Sequence, residues 1–402
     1  MKKEILSSKS ERVRDIKRSE YQQLDREIKK RARSDKRRMI DSMAAEAERA
    51  AQQNNMKELY DTTRKLCNKQ KKQTIGVRKK DGTLVTEEEQ VMQRWKEHFQ
   101  EILNITSEEV QMQEGCDLEP VEEIAEICTD HFTREEIRKV ISKLKSGKSP
   151  GIDNLNAEML KASPDKAIDH LLNIMNKILD TCSVPSDWKK SLIVKIPKKG
   201  DVTICDNNRG ISLLSIAYKV FCRLLIDRMR EGVDKTLRDE QAAYRRGRGT
   251  NEQVFILRNV IEQSLEWQAP LYLNFIDFKK AFDSITRLKL WRILRHYGIP
   301  NTFVNIMEEL YNECTSCVID GSRTSEWFPV ETGVKQGCVL SGFLFNIVID
   351  WIMRSTNNRK RGIRWNFTTT LEDLDYADDI VRLSSRHQYL QDKTTILSSI
   401  AQ

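Results

Sequence analysis

The sequence predicts an α+β protein, a small antiparallel sheet under helices, preceded by a long helical N-terminal extension. Three observations carry this. The first glycine of the 402 residues is Gly76 and the first proline Pro120, so nothing breaks a helix in the leader. Beyond Thr133, short apolar runs alternate with segments of helical periodicity. Finally, Tyr376-Ala377-Asp378-Asp379 sits between two strand-like runs, the pattern of a tight hairpin.

Along the leader, Tyr21, Leu24 and Ile28 recur at helical spacing and Ala44, Ala47 and Ala50 continue a small-residue stripe, predicting long helices to about residue 70. The other face carries Lys29, Lys30, Arg31, Lys36, Arg37 and Arg38. Such a run grips RNA, directs nuclear import, or is simply a solvated helix face. Residues 1–80 hold 25 Lys+Arg against 12 Asp+Glu, residues 81–130 hold 2 against 15, and the remainder 41 against 33. A basic arm followed by an acidic segment is expected of a protein that meets nucleic acid, and equally of two solvated helices that attract each other. Lys79 to Gly82 reads as a turn, 87–104 as a helix, and 105–130, with Gly115 and Pro120, as a linker. The chain thus divides into a basic helical extension (1–75), an acidic helical linker region (76–130) and a mixed α/β domain (131–402, core about 185–402).

Within that domain, Thr133 to Glu136 is a capping box opening a helix that ends before Ser146-Gly147. Helices follow to about 180. Ser191–Ile196 reads as a strand, 198–201 as a turn, and 211–229 as strand-end plus helix. Residues 251–266 and 287–296 read as helices flanking a strand at 271–278, and 317–320 with 327–330 as a hairpin around Gly321. The apolar run Gly342–Met353 contains Asp350 and is far shorter than the ~20 residues of a membrane span, so it reads as a buried helix and no membrane partner is expected. Nine scattered cysteines without a framework, and no secretory leader, point to a reducing intracellular setting, nucleus or cytoplasm. Cys314 and Cys317 have zinc-ligand spacing, but no second pair or nearby histidine completes a site.

The chemistry lies in three aspartates. Asp277 ends one apolar run, and Asp378 and Asp379 precede another. Carboxylates are rarely tolerated at such places unless something pairs them. Brought together, they make a cluster of hard oxygen ligands suited to Mg²⁺, which takes one or two carboxylates plus substrate phosphates and water. Two such ions, about 4 Å apart, serve phosphoryl transfer, with Mn²⁺ a possible substitute. Asp277 and Asp378 are expected as the metal ligands, with Asp379 assisting. As hairpin aspartates, Asp378 and Asp379 are also favoured for local hydrogen bonding, which does not account for Asp277. Without metal, neighbouring carboxylates raise one another's pKa, so Lys279 and Lys280 are candidate counter-charges. Asp283 is expected to cap the following helix. For a triphosphate, Lys195, Lys198 and Lys199 flank a predicted hairpin and Arg209 follows it; arginine meets phosphate with two parallel hydrogen bonds. The lysines equally suit a solvated hairpin tip. Gln336 offers donor and acceptor beside Gly337, which permits close backbone approach. Tyr244 with Arg245, Arg246 and Arg248 mixes a ring with cations, as single-stranded nucleic acid requires, and Lys145, Lys148 and Gly151 form a similar basic turn.

At these residues the chain resembles the reverse transcriptases of non-LTR (LINE-type) retrotransposons. F-x-D-F-x-K-A-F-D around Asp277 and Y-A-D-D at 376–379 carry the likeness, with blocks at 145–160, 188–201, 207–229, 241–253 and 333–353 in the same order. The similarity covers roughly 130–402. It implies the fingers and palm of a right-hand polymerase, an RNA template, a DNA primer and dNTP substrates. It further implies that Phe282 is the aromatic gate against a 2′-hydroxyl, which from the sequence alone is equally an ordinary core phenylalanine. Arg209 would contact the incoming nucleotide, Gln336 and Gly337 would line the template and nucleotide pocket, and the turn around Lys148 would contact RNA. Gly342 stands where the family usually has proline, which would loosen the start of that helix. The family continues beyond the hairpin with a lysine-bearing segment and a helical thumb, and often carries an upstream endonuclease; the chain is expected to lack all three. The expected function is RNA-directed DNA polymerisation, or, in a truncated copy, RNA binding without synthesis. A two-metal nuclease is the third possibility, against which the basic hairpin argues.

Overall fold

The computed structural model describes residues 11–52, 59, 62–63, 76–105, 127–321, 323–356, 361–365 and 369–400. It divides into two compact units, 1–74 and 75–402. The first is dominated by α1 (Glu11–Gln52), a 42-residue helix about 60 Å long at 1.5 Å per residue. Asp25 pairs with Lys29 at 2.6 Å, one turn on, and Asp35 with Arg38. Leu24 and Ile28 of the expected stripe are exposed, as are Val13 and Ile16. The rest of the leader helix expected to residue 70 lies largely outside the described residues, and so do residues 106–126 of the acidic linker region.

The second unit opens with the hairpin β1 (Val77–Arg78) and β2 (Leu84–Val85), then α2 (Glu88–Ile102). Helices α3 (Arg134–Ser142), α4 (Ala157–Lys161) and α5 (Asp165–Thr181) lead to β3 (Lys190–Pro197) and β4 (Asn208–Leu213). Next come α6 (Ile216–Thr236), α7 (Thr250–Glu266), β5 (Tyr272–Asp277), α8 (Arg287–His296) and α9 (Asn301–Tyr311). The strands β6 (Thr315–Asp320), β7 (Arg323–Thr324) and β8 (Phe328–Pro329) precede α10 (Val339–Thr356). The described chain closes with β9 (Ile363–Arg364), β10 (Thr370–Leu371), β11 (Asp373–Tyr376), β12 (Asp379–Ser384) and α11 (His387–Ile400).

The capping box is present: Thr133 accepts from the Glu136 amide and Glu136 from the Thr133 amide. The sheets differ from the single antiparallel one expected. One is antiparallel and three-stranded, in the order β11-β12-β5. The largest of the four sheets is five-stranded and mixed, because β3 runs antiparallel to β4 but parallel to β6, while β1-β2 and β9-β10 are separate two-stranded pairs. A β3–β6 parallel pair joins segments more than a hundred residues apart, which no local pattern reveals.

The main core gathers α6 and α10 with α8 and α9: Phe221, Leu225, Met229, Leu294, Met307, Leu344 and Ile347 are buried there. Helix α10 is apolar and long enough, by length and composition alone, to cross a membrane, but 67% of it is buried inside the fold. A second cluster, with Val91, Trp95 and Phe99 of α2, covers the mixed sheet. The expectation that Asp277 ends a buried strand needs correction. β5 is the edge of its sheet, with Phe275 70% exposed and Tyr272 exposed on its far side. Its partner β12 is the buried strand, from Ile380 to Ser384.

Candidate active site

Register places the aspartates. β12 pairs with β5 so that Asp379 stands opposite Asp277, Ile380 opposite Ile276 and Val381 opposite Phe275. Residues directly opposite in an antiparallel pair point to the same face, with Cβ atoms about 5 Å apart. Two exposed carboxylates are therefore cross-strand neighbours at the end of the sheet. Tyr376 pairs with Asp379, leaving Ala377 and Asp378 as a two-residue turn. Ala377 has φ +58°, a left-handed conformation costing an alanine roughly 1–2 kcal/mol. Asp378, at the tip of the turn and next in the chain to Asp379, is half-buried. Among the described residues, no three Asp, Glu, His or Cys side chains form a ready-made metal cage. The donors available, two solvent-exposed cross-strand carboxylates and a half-buried third at the adjoining turn, are all oxygen, the kind Mg²⁺ or Mn²⁺ takes when phosphates and water complete its shell.

Tyr244 closes one side. Partial burial raises its phenol pKa although much of the ring stays exposed, with the charges of Asp378 and Tyr376 adding to the shift and Arg209 opposing it, so these groups share one electrostatic neighbourhood. Its ring lies edge-on to Phe282 at 6.4 Å, and Phe282 stacks on Phe345 at 4.4 Å. Phe282 is thus anchored in the core yet half-exposed toward the site. Gly342 accounts for Tyr244's position: a Cβ at residue 342 would stand 2.7 Å from the ring. The missing side chain at 342 leaves the space against α10 in which the tyrosine ring fits.

The cationic side lies on β3 and β4. Arg209 is exposed and pairs across the ladder with Ile196. Lys195, by contrast, is engaged: its ammonium meets Asp320 at 2.5 Å and lies 4.9 Å over the Trp95 ring. Lys198 donates to the Asp206 carbonyl at 3.3 Å. Asp283 does not cap the following helix, whose N-cap is Thr286. It accepts from Gln336 at 2.9 Å instead, and burial pushes its carboxyl up to about 6, against that bond and the charges of Lys280, Lys198 and Arg209. The Gln336 carbonyl accepts from the Ser212 amide at 2.7 Å, locking this loop to β4. Gly337 is required there: its φ is +112° and a Cβ would reach 2.7 Å from the Ser212 carbonyl oxygen.

The expected nucleic-acid contacts divide. Lys145, Lys148 and Arg246 are exposed, as is Tyr244. Arg245 is not available: its guanidinium is buried, bonded to Asp234 at 2.6 Å and to the carbonyls of Asp234, Arg238 and Gln241. Arg248 is spent on the side chain and carbonyl of Asp239. Gly151 is buried too; a Cβ would fall 2.4 Å from the Leu214 backbone, so it lets two chain segments touch.

Sequence reasoning missed the support beneath the hairpin. Arg238 bonds Asp373 at 2.6 Å and Asp375, both fully buried on β11, and lies 3.4 Å from buried Asp350 of α10. Burial opposes the guanidinium's charge, but Asp375, Asp373 and Asp350 outweigh it and hold the arginine ionised. Asp350 also receives the Tyr297 hydroxyl and Arg354. The signal available in the sequence was a charged residue inside an apolar run, Asp350 in IVIDWI.

Residues 196–402 match the model of the reverse transcriptase (RNA-dependent DNA polymerase) family. Among curated proteins, the chain is 30% identical over 218 residues to the RNA-directed DNA polymerase from mobile element jockey of Drosophila melanogaster, covering 54% of this chain and 24% of that one. It is 29% identical to the retrovirus-related Pol polyprotein from type-2 retrotransposable element R2DM of the same species, over 67% of this chain and 25% of the relative. A Xenopus laevis protein, the transposon TX1 uncharacterized 149 kDa protein, is 25% identical over 77% of this chain and 24% of its own length. The chain spans about a quarter of the length of these relatives. With facing aspartates at a hairpin, an adjoining cationic strand pair and a family match over half its residues, the chain belongs to the reverse transcriptases, of the non-LTR retrotransposon type.

Proposed function

We propose that the protein transfers a deoxynucleotide from a dNTP to a primer 3′-hydroxyl under the direction of an RNA template. The observation that carries this is the β5–β12 register, with Asp277 facing Asp379 and Asp378 at the adjoining turn. On this reading β11, β12 and β5 are the floor of the palm, and β3 with β4 belongs to the fingers. Asp277, Asp378 and Asp379 would hold Mg²⁺ or Mn²⁺, which when bound supplies Lewis-acid stabilisation of the attacking and leaving oxygens.

The chain's own groups bind and orient. Arg209, with Lys198 and Lys280 nearby, provides a positive field for a triphosphate around Asp283. Asp283 keeps Gln336 fixed, so that the loop at Gln336-Gly337 presents backbone to the nucleotide. Phe282 and Tyr244 form an aromatic wall beside Asp378, where Phe282 serves as the gate against a 2′-hydroxyl. Lys145, Lys148 and Arg246 remain to meet phosphates of template or primer.

Primer extension on an RNA template with dNTPs and Mg²⁺ tests the reading. The expected result is extension by the wild-type chain and none by Asp277→Ala. Salt-sensitive RNA binding without synthesis in the wild type favours the second reading, a binding remnant, whose support is the abundance of exposed cations. Degradation of the template without dNTPs overturns both in favour of a nuclease.

A further inference from the structure

Between α6 and α7 the chain passes beside the catalytic hairpin as a short strap. The Asp375 amide donates to the Glu240 carbonyl at 3.1 Å and the Ala242 amide to the Asp375 carbonyl at 3.0 Å, so the strap runs parallel to β11. Buried Asn346 of α10 donates to the Ala243 carbonyl and fixes its far end. At the centre is Gln241, which has no exposed surface. Its Oε1 accepts two backbone N–H groups, from Ala243 at 3.0 Å and from Ala377 at 3.1 Å. Two donors facing one atom fix the amide's orientation, since only the oxygen can accept both. Its Nε2 has no hydrogen-bond partner among the described residues. The amide is therefore not placed there to satisfy itself; what its burial secures is the turn.

The turn is the place that needs securing. Ala377 is left-handed without being glycine, and Asp378 follows it directly. Release of the Ala377 amide lets the turn relax toward conformations that alanine prefers, and this swings Asp378 relative to Asp277 and Asp379.

We infer that Gln241 is a positioning residue: its carbonyl oxygen clamps the Ala377 amide and thereby sets the direction of the Asp378 carboxylate toward the divalent-cation site. This rests on the metal-binding role proposed for the three aspartates. Outer groups that orient metal ligands typically change affinity 10- to 100-fold when removed.

The test is Mn²⁺ binding to the full chain, followed by the loss of the free-ion electron paramagnetic resonance signal, with thermal melting measured alongside. Gln241→Met keeps the shape and removes the acceptor, and is expected to weaken Mn²⁺ about tenfold. Gln241→Glu restores an acceptor and is expected to stay close to wild type. Asn176→Leu is the control for general loosening: it removes a cap on the Phe132 amide (2.7 Å) away from the hairpin and should leave Mn²⁺ affinity unchanged. If Gln241→Met does not fold, Gln241→Asn decides, because it draws the carbonyl back by about one bond length (~1.5 Å). Wild-type affinity in folded Gln241→Met, or in Gln241→Asn where the methionine variant does not fold, or equal weakening in Asn176→Leu, overturns the clamp while Asp378→Asn still abolishes binding. If Asp277→Asn and Asp378→Asn bind Mn²⁺ as wild type does, the metal-centre reading itself has failed and the clamp falls with it.

Discussion

At the scale of single residues, the site is marked by charged groups held where water is scarce. Asp283 gives a pH signature whose sign is fixed. Its carboxyl titrates at about 6 in the folded protein against an ordinary value of 3.8, because burial outweighs the Gln336 hydrogen bond and the nearby cations. Between pH 4 and 6 the folded chain keeps a proton that the unfolded chain has released. Its contribution to stability therefore falls as pH rises through that window, and the penalty stays complete above it. The difference corresponds to about 3 kcal/mol as an upper figure. Asp283→Asn retains an acceptor for Gln336 and cannot ionise. It should melt higher than wild type at pH 7, and the gap should close as pH is lowered to 4. A gap that is constant across this range removes the buried carboxylate from the account. Nothing near Asp283 in the sequence separates a buried acceptor from a helix cap, since both follow a strand and precede a helix. The partner that decides it, Gln336, is more than fifty positions away.

At the scale of elements, the parts that were legible are those whose signals are local. Helix α8 runs from Arg287 to His296 as its apolar spacing requires, and the Thr133 capping box is made by residues three apart. The Tyr-Ala-Asp-Asp hairpin is likewise written in four consecutive residues. What the sequence could not display is which cations are already taken. Arg245, Arg246 and Arg248 are alike in composition, yet only Arg246 is left largely to solvent, at 69% side-chain exposure. The other two are bound to Asp234 and Asp239 by the way α6 ends and turns back. The glycine at 342 is a similar case: as a departure from pattern it suggests a weakened helix start, whereas its neighbour in space is an aromatic ring. Gly342→Ala should cost about 1–3 kcal/mol by overpacking against Tyr244, measured by denaturant unfolding. In a Tyr244→Ala background the same change should cost almost nothing, because the clashing atoms are gone. Additive losses in the double-mutant cycle would show that the two residues are not coupled.

At the scale of the whole molecule, charge is distributed by unit. The leading 80 residues carry a large excess of Lys and Arg, and α1 keeps Lys29, Lys30, Arg31, Arg33, Lys36, Arg37 and Arg38 exposed along barely three turns. Pairing among the described residues does not absorb them: the ion pairs along this stretch join Lys29 and Arg38 each to one aspartate, and each is largely solvated. Exposed pairs of this kind contribute little and leave the field positive. Cations so dense are poorly explained by helix stability, since like charges three and four residues apart repel. Contact with a polyanion would turn that cost into a gain by releasing the counterions condensed on it. Each single-strand phosphate so neutralised steepens the fall of log K with log salt by about 0.7. The full-length variant combining Lys29→Gln, Lys30→Gln, Lys36→Gln and Arg37→Gln should therefore bind single-stranded RNA with a salt slope shallower by up to about 3. Its melting temperature should stay level or rise, because the substitutions relieve repulsion. Measuring dissociation constants between 50 and 300 mM KCl decides the matter. An unchanged slope would return α1 to the role of a solvated helix and leave RNA contact to Arg246, Lys145 and Lys148 alone.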